Sequence, residues 1–366
     1  MGRRFDPDRA HVKNGKSLSK GFKLIVVLTH FVPPKPTKFS IIWDFIRPRL
    51  SSQYFRSIIR FVVYGKRGYS PWKKDVMTEV RRNVQAERRK HLIQVLQSVL
   101  KLDVREVAVY IHTNSNSEAD FLKLLLKDPR VHYHVFSQYS RMNYFHNSPW
   151  VEDDPRSPWL LTWEHKKTLT NLSTQEDDSS LFLYLENDSL FTQENLDYWL
   201  EALPILSRHG FIPSFLRVEF DESTGQWFPI DNLQTQPYPV DKVNVRNGDR
   251  EYIQLPNTYA GCYLLNFQLL REYVASDSFD LVKSKTRTWW DIGARTTAGL
   301  QFENIPDGAA SRYLVPSHDN GIAPESWVHH LPNIYIKQMG AKDKLPAHDF
   351  LMSKLSEIDD KSSNGS

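Results

Sequence analysis

The sequence predicts an α/β protein: a Rossmann-like, mostly parallel sheet flanked by helices, followed by a smaller mixed α+β half of the same domain. Three observations lead there. Four short apolar runs, at 23–28, 106–111, 131–136 and 181–185, alternate with stretches of helical period. Such alternation marks parallel strands joined by crossover helices. Past residue 190 the pattern changes to strand-like runs separated by Pro, Asn and Gly turns.

Residues 23–28 (KLIVVL) read as a buried first strand that opens at Thr29 and His30 into a loop stopped by Pro33, Pro34 and Pro36. The stretch to about residue 77 reads as irregular with short helices. Over 80–100, Val84, Leu92, Val95, Leu96 and Val99 share one side while Arg81, Arg82, Arg88 and Arg89 lie elsewhere, which predicts an amphipathic helix on one sheet face. A second strand follows at 106–111. Ser115 and Glu118 then form a capping-box signature for a helix through Phe121, Leu124 and Leu125. After the third strand, Ser157 and Pro158 supply an N-cap and first-turn proline for a helix through Trp163 and Leu169. The fourth strand, LFLYL, is wholly apolar, as a strand buried on both faces must be. Thr192 caps a further helix through Leu203, and strands are expected at 215–220, 227–230 and 259–266. Ligands of such sheets bind beyond the carboxyl ends of the strands. Four polar turns meet there: Thr29-His30, His112-Thr113-Asn114, Ser137-Gln138 and Glu186-Asn187-Asp188.

Composition narrows the classes. The chain has 366 residues, 40% hydrophobic and 25% charged, enough for one large α/β domain. Aromatics reach 13%, more than a core absorbs, and aromatic clefts suit sugars and nucleobases. The lone Cys262 excludes an intramolecular disulfide framework and a multi-cysteine zinc site, and a reducing compartment is expected. No apolar signal core precedes Lys23, and no run approaches the roughly 20 apolar residues of a membrane span. With Met1 in place, the expectation is a cytoplasmic protein without an anchor. Net charge is only +4, but Arg47, Arg49, Arg56, Arg60, Lys66, Arg67, Lys73 and Lys74 crowd an aromatic-rich region. That region, 47–74, fits peripheral contact with anionic head groups at the inner face of a membrane, or a polyanionic acceptor; a solvated basic face is the plainer account. No nucleic-acid motif accompanies the charge, so no nucleic-acid partner is expected.

The run LFLYLENDSLFTQENLDYWL resembles the glycosyltransferases of the A-type (GT-A) fold. In that superfamily a buried strand ends in a short acidic motif, DxD, matched here by Glu186-x-Asp188 with a departure at the first position. The resemblance implies a nucleotide-sugar donor, a glycan or lipid-linked acceptor, and Mn²⁺ or Mg²⁺. It implies that Asp188 ligates the metal while Glu186 holds the ribose or a metal-bound water. A third ligand is expected from residues 325–333, with His329 preferred over His330. Gly261 sits in a segment similar to the donor or acceptor side of these enzymes; a strand bulge is the alternative. Asp291, after Trp289 and Trp290, matches the place where inverting members keep a catalytic carboxylate, and helix capping is the alternative. Glu219 competes for that role, or partners Arg217. Thr29, His30 and Asn114 stand at the ligand edge, and His165 and Lys166 are placed to contact the nucleotide or its diphosphate. Inversion is the preferred outcome.

These readings divide the chain into a flexible N-terminus at 1–22, a nucleotide-sugar-binding half at 23–190, an acceptor-side half at 191–350 and a disordered tail at 359–366. Two rivals stand beside this one. A metal-dependent phosphoester hydrolase needs several Asp and His residues at successive strand ends to hold two metals. A non-catalytic module would use the 47–74 region on membranes or polyanions.

Overall fold

The computed structural model describes residues 18–32, 74–140, 158–232, 243–339, 344–349 and 351. The flexible N-terminus as far as residue 17, the basic region apart from the backbone of Lys74, the Ser157 cap and the tail at 359–366 lie outside the described residues. The strands are β1 (Lys23–His30), β2 (Glu106–Thr113), β3 (Val131–Val135), β4 (Ser180–Glu186), β5 (Ser189–Leu190), β6 (Ile212–Pro213) and β7 (Leu216–Asp221). They continue as β8 (Gln226–Pro229), β9 (Val243–Asn247), β10 (Arg250–Ile253), β11 (Cys262–Asn266), β12 (Tyr313–His318), β13 (Gly321–Ile322) and β14 (Trp327–His330). The α-helices are α1 (Lys74–Val99), α2 (Asn116–Leu126), α3 (His165–Gln175), α4 (Gln193–Leu206), α5 (Phe267–Val274), α6 (Ile292–Thr296) and α7 (Ile334–Met339).

The main sheet runs β11-β4-β1-β2-β3, with β1, β2, β3 and β4 parallel and β11 antiparallel to β4. The mixed α/β class is as expected. Residues 24–28 are completely buried because helices cover both faces of β1, and Leu92, Val95, Leu96 and Val99 of α1 are buried in the same core. That double burial is why these strands are unbroken apolar runs. Two expectations change. Thr29, His30, His112 and Thr113 lie inside β1 and β2 rather than in turns. The strand expected at 259–266 is shorter and joins the first sheet, so the chain returns to that sheet after residue 190. On α2 the Ser115 half of the capping box forms, but Glu118 turns its carboxylate into the protein. Phe121, Leu124 and Leu125 of this helix are exposed.

A second sheet, β13-β12-β10-β9, and a third, β5-β14-β7-β8, pack beside the first. The third sheet sets the surroundings of Asp188. β14 pairs parallel with β7 and antiparallel with β5, setting His330 opposite Ser189, one residue past Asp188.

Two histidines of the fold are buried as neutral rings. His112 Nε2 contacts Thr168 Oγ1 at 2.9 Å, and burial holds the ring down at about 3. His165 donates from Nδ1 to the Thr162 carbonyl and accepts at Nε2 from the Tyr263 hydroxyl; burial lowers it well below 6.5. A ring depressed in the folded state is fully stabilising above its unfolded value near 6.5, and that contribution is lost as pH falls towards the folded value. Each ring is therefore expected to remove up to about 1.4 kcal/mol per pH unit below 6.5. Melting temperature should drop steadily from pH 7 to pH 4 in calorimetry; a flat profile would show that these rings are not buried neutral.

Candidate functional site

The parallel register pairs Thr29 with Glu186, so β1 and β4 end side by side and the Glu186-Asn187-Asp188 turn closes their edge. Asp188 is held from both directions: its carbonyl accepts from Leu331 N at 2.8 Å, and its side chain faces β14. His330 Nε2 lies 3.5 Å from Asp188 Oδ2, while His330 Nδ1 contacts Glu219 Oε1 at 2.5 Å. Glu219 is fully buried and accepts further bonds from the backbone N–H groups of Tyr335 (3.3 Å) and Ile336 (2.7 Å) at the start of α7. Burial alone would depress His330, but hydrogen bonds to the Asp188 and Glu219 carboxylates raise it to about 9. Asp188 is likewise held below its usual range: burial works against the charge, and His330 with Arg217 and His91 outweighs it.

The other carboxylate of the turn is already committed. Glu186 Oε1 accepts from the Tyr259 hydroxyl at 2.5 Å and Oε2 from Arg217 Nη1 at 3.0 Å. Arg217 gives two more bonds, both 2.8 Å, to the two oxygens of Asp231, and its guanidinium lies 4.7 Å from the Tyr259 ring centre. Burial pushes the Glu186 carboxyl upward, with Arg217 pulling against it. This clamp joins the first sheet to the third. It corrects two expectations: Glu186 is bound to protein on both oxygens, and the partner of Glu219 is His330 rather than Arg217.

Gly261 faces the same carboxylate. It has φ +65°, and a Cβ there would stand 2.7 Å from Glu186 Oε2. Its carbonyl accepts from Glu186 N at 3.0 Å. What the glycine admits is thus the Glu186 side chain. Gly261→Ala should cost about 1–3 kcal/mol in denaturant unfolding through left-handed strain and overpacking, and should displace Glu186. A change under about 0.5 kcal/mol, the size of an ordinary surface substitution, would mean the clamp tolerates a side chain.

The remaining candidates separate clearly. His329 points to the opposite side of β14, where its ring centre lies 4.3 Å from that of Trp227, tilted by 33°, and burial lowers it to about 4. Strand alternation therefore gives the Asp188 side to His330, reversing the preference for His329. His165 is used up by Thr162 and Tyr263 beneath the sheet. Lys166 is buried, donating to the carbonyls of Ser278 (2.8 Å) and Phe279 (3.1 Å), with its ammonium 3.7 Å from the Trp163 ring centre. Both residues hold structure and neither is offered to a nucleotide. Asn114 ties down the chain after β1 by bonding Val32 N and O and the Tyr139 carbonyl. Thr29 is buried in the strand, and His30 turns to Asn187. Asp291 is the N-cap of α6, accepting from Ala294 N at 2.8 Å. Its neighbours part company: Trp290 is buried against Tyr259, while Trp289 is 81% exposed. Glu219, wholly enclosed, supports His330.

Residues beyond those expected complete the site. Arg217, Asp231, Tyr259 and Tyr335 build the clamp. Arg88 and His91 of α1 sense the charge of Asp188. One signal for the clamp was present: in the run Phe215 to Phe220, apolar otherwise, Arg217 and Glu219 share one face. Among the described residues no group of three or more His, Cys, Asp or Glu side chains that could hold a metal ion is found. No helix among the described residues is long and apolar enough to cross a membrane. Compared with protein-family models and with curated proteins, the chain matches neither.

Proposed function

We propose that this protein is a metal-dependent glycosyltransferase that moves a sugar from a nucleotide-sugar donor to a glycan or lipid-linked acceptor. The observation that carries this reading is the Asp188–His330–Glu219 chain at the carboxyl end of β4. A metal-ligating imidazole ordinarily gives its second ring N–H to a carboxylate. Glu219 occupies that position behind His330. Asp188 Oδ2 and His330 Nε2 stand 3.5 Å apart at this edge. Once His330 Nε2 has given up its proton, Asp188 and His330 would offer a carboxylate and an imidazole to a divalent ion such as Mn²⁺. Such an ion, when bound, neutralises the charge of a departing nucleoside diphosphate.

The chain's own residues do the rest. Glu219 and the α7 backbone hold the imidazole in register, and the Glu186–Arg217 clamp fixes the turn that carries Asp188. The exposed face of Trp289 offers a platform for an acceptor sugar ring. In the inverting form of the reaction, Asp291 would take the acceptor proton on Oδ2, Oδ1 being the oxygen that caps α6.

The test is a panel of nucleotide-sugars incubated with the protein and Mn²⁺. Release of nucleoside diphosphate from one donor, abolished by a chelator, is expected, and the product's anomeric configuration should be opposite to the donor's. Cleavage of unrelated phosphodiesters instead would identify a hydrolase. Retained configuration would remove Asp291 from the base role and leave the transferase.

A further inference from the structure

Asn187 lies between the two carboxylates of the turn and is tied to a buried polar chain that neither of them uses. Its Nδ2 lies 2.7 Å from His30 Nδ1. His30, 1% exposed, turns Nε2 towards Glu118 Oε1 at 3.4 Å. Glu118, 0% exposed, takes two bonds from Arg89 (2.7 and 2.6 Å) and one from Gln85 (2.8 Å). Although burial works against its charge, His30, Arg89 and Gln85 hold Glu118 down at about 2. Orientation then propagates along the chain. In the tautomer with the ring proton on Nε2, the side that faces Glu118, His30 Nδ1 accepts. Only the NH₂ end of the Asn187 amide satisfies it, so Oδ1 is the end left for something else.

Turn shape does not explain this investment. Asn is favoured in turns because it tolerates the left-handed region, and Asn187 is not among the described non-glycine residues with positive φ. Nor does stability explain it, since buried ion pairs return little net free energy over apolar packing. The chain draws residues from α1, α2 and β1 to fix one partly exposed amide at the strand edge where ligands of such sheets bind.

The geometry points to Asn187 as a ligand-reading residue: the His30–Glu118 pair, clamped by Arg89, orients its amide so that Oδ1 accepts a hydrogen bond from a hydroxyl of the bound donor. This rests on the nucleotide-sugar reading of the site. The hydroxyl belongs either to the ribose or to the transferred sugar.

Calorimetric titration of the full chain in Mn²⁺ decides the matter, using UDP and GDP, their 2′- and 3′-deoxy forms, and UDP-glucose, UDP-galactose and GDP-mannose. Asn187→Ala should weaken the ligand bearing the contacted hydroxyl about tenfold and leave the ligand lacking it at wild-type affinity. A loss seen with the nucleoside diphosphate and absent with one deoxy form puts the hydroxyl on the ribose. A loss confined to the nucleotide-sugar puts it on the sugar. His30→Leu should reproduce the same selective loss, and the double variant should be no worse than either single one. Should His30→Leu fail to fold, Asn187→Ala still gives the answer alone. Equal weakening of hydroxyl-bearing and deoxy ligands, or no weakening, overturns the proposal while the transferase reading stands. Wild-type protein that binds none of these ligands overturns both.

Discussion

Asp188→Asn is expected to lower kcat/KM for the donor by about 10²–10³-fold or more while the protein keeps its fold. The substitution preserves shape but removes the negative charge that, with His330, would hold a divalent ion. Removing one well-placed electrostatic contact to a leaving group costs on that order in other enzymes. The fold should survive because the backbone bond of the turn and the Glu219 contact of His330 remain, although His330 loses the charge of one of its two carboxylate partners. Leu331 N bonds the residue 188 carbonyl, and His330 keeps Glu219 on Nδ1. Glu186, the turn's other carboxylate, is held by Tyr259 and Arg217 independently. Two measurements check this together: Mn²⁺ binding by electron paramagnetic resonance, and unfolding by circular dichroism. Lost metal binding with an unchanged melting curve supports the assignment. Full activity in the variant, or wild-type activity indifferent to chelator, would remove Asp188 from the chemistry.

Legibility in the sequence depends on which forces are local. The runs KLIVVL and LFLYL announce buried parallel strands because burial on both faces demands apolar side chains at every position. Thr192 caps α4 through its own hydroxyl, a contact that spans three residues and is readable at that range. Strand partners are another matter. β11 looks like any short apolar strand, and nothing local says that it pairs antiparallel with β4 in the first sheet. The choice between His329 and His330 depends on which face of β14 meets the Asp188 turn, which is a consequence of pairing with β7 and β5. His165 and Lys166 read as part of a polar helix face, yet the start of α3 is packed under Tyr263, Ser278 and Phe279 from residues about 100 positions away. The hairpin of β9 and β10 has a local signal too: Gly248-Asp249, between alternating residues, is its two-residue loop, and Gly248 has φ +60°.

Arg217→Met is expected to be the most destabilising substitution outside the apolar core, at about 3–5 kcal/mol in urea unfolding. Arg217 is 5% exposed and supplies three hydrogen bonds to two carboxylates from different parts of the chain, Glu186 at the end of β4 and Asp231 after β8. Removing it leaves two partly buried negative charges without their common counter-ion, with Asp188 a third charge nearby. Arg217→Lys should recover only part of the loss, because an ammonium cannot reproduce the paired bonds to Asp231 while also reaching Glu186. Adding Asp231→Asn to Arg217→Met should restore stability relative to Arg217→Met alone, since it removes one of the stranded charges. That sign distinguishes a charge clamp from simple packing, in which the second substitution would add a further loss. Donor turnover should fall in Arg217→Met even at temperatures where the variant is folded, because the released Glu186 no longer holds the turn that presents Asp188. A loss below about 1 kcal/mol, the range of an exposed ion pair, or a double variant less stable than Arg217→Met, would mean that the two sheets are held together by their apolar contacts and that the clamp contributes only position.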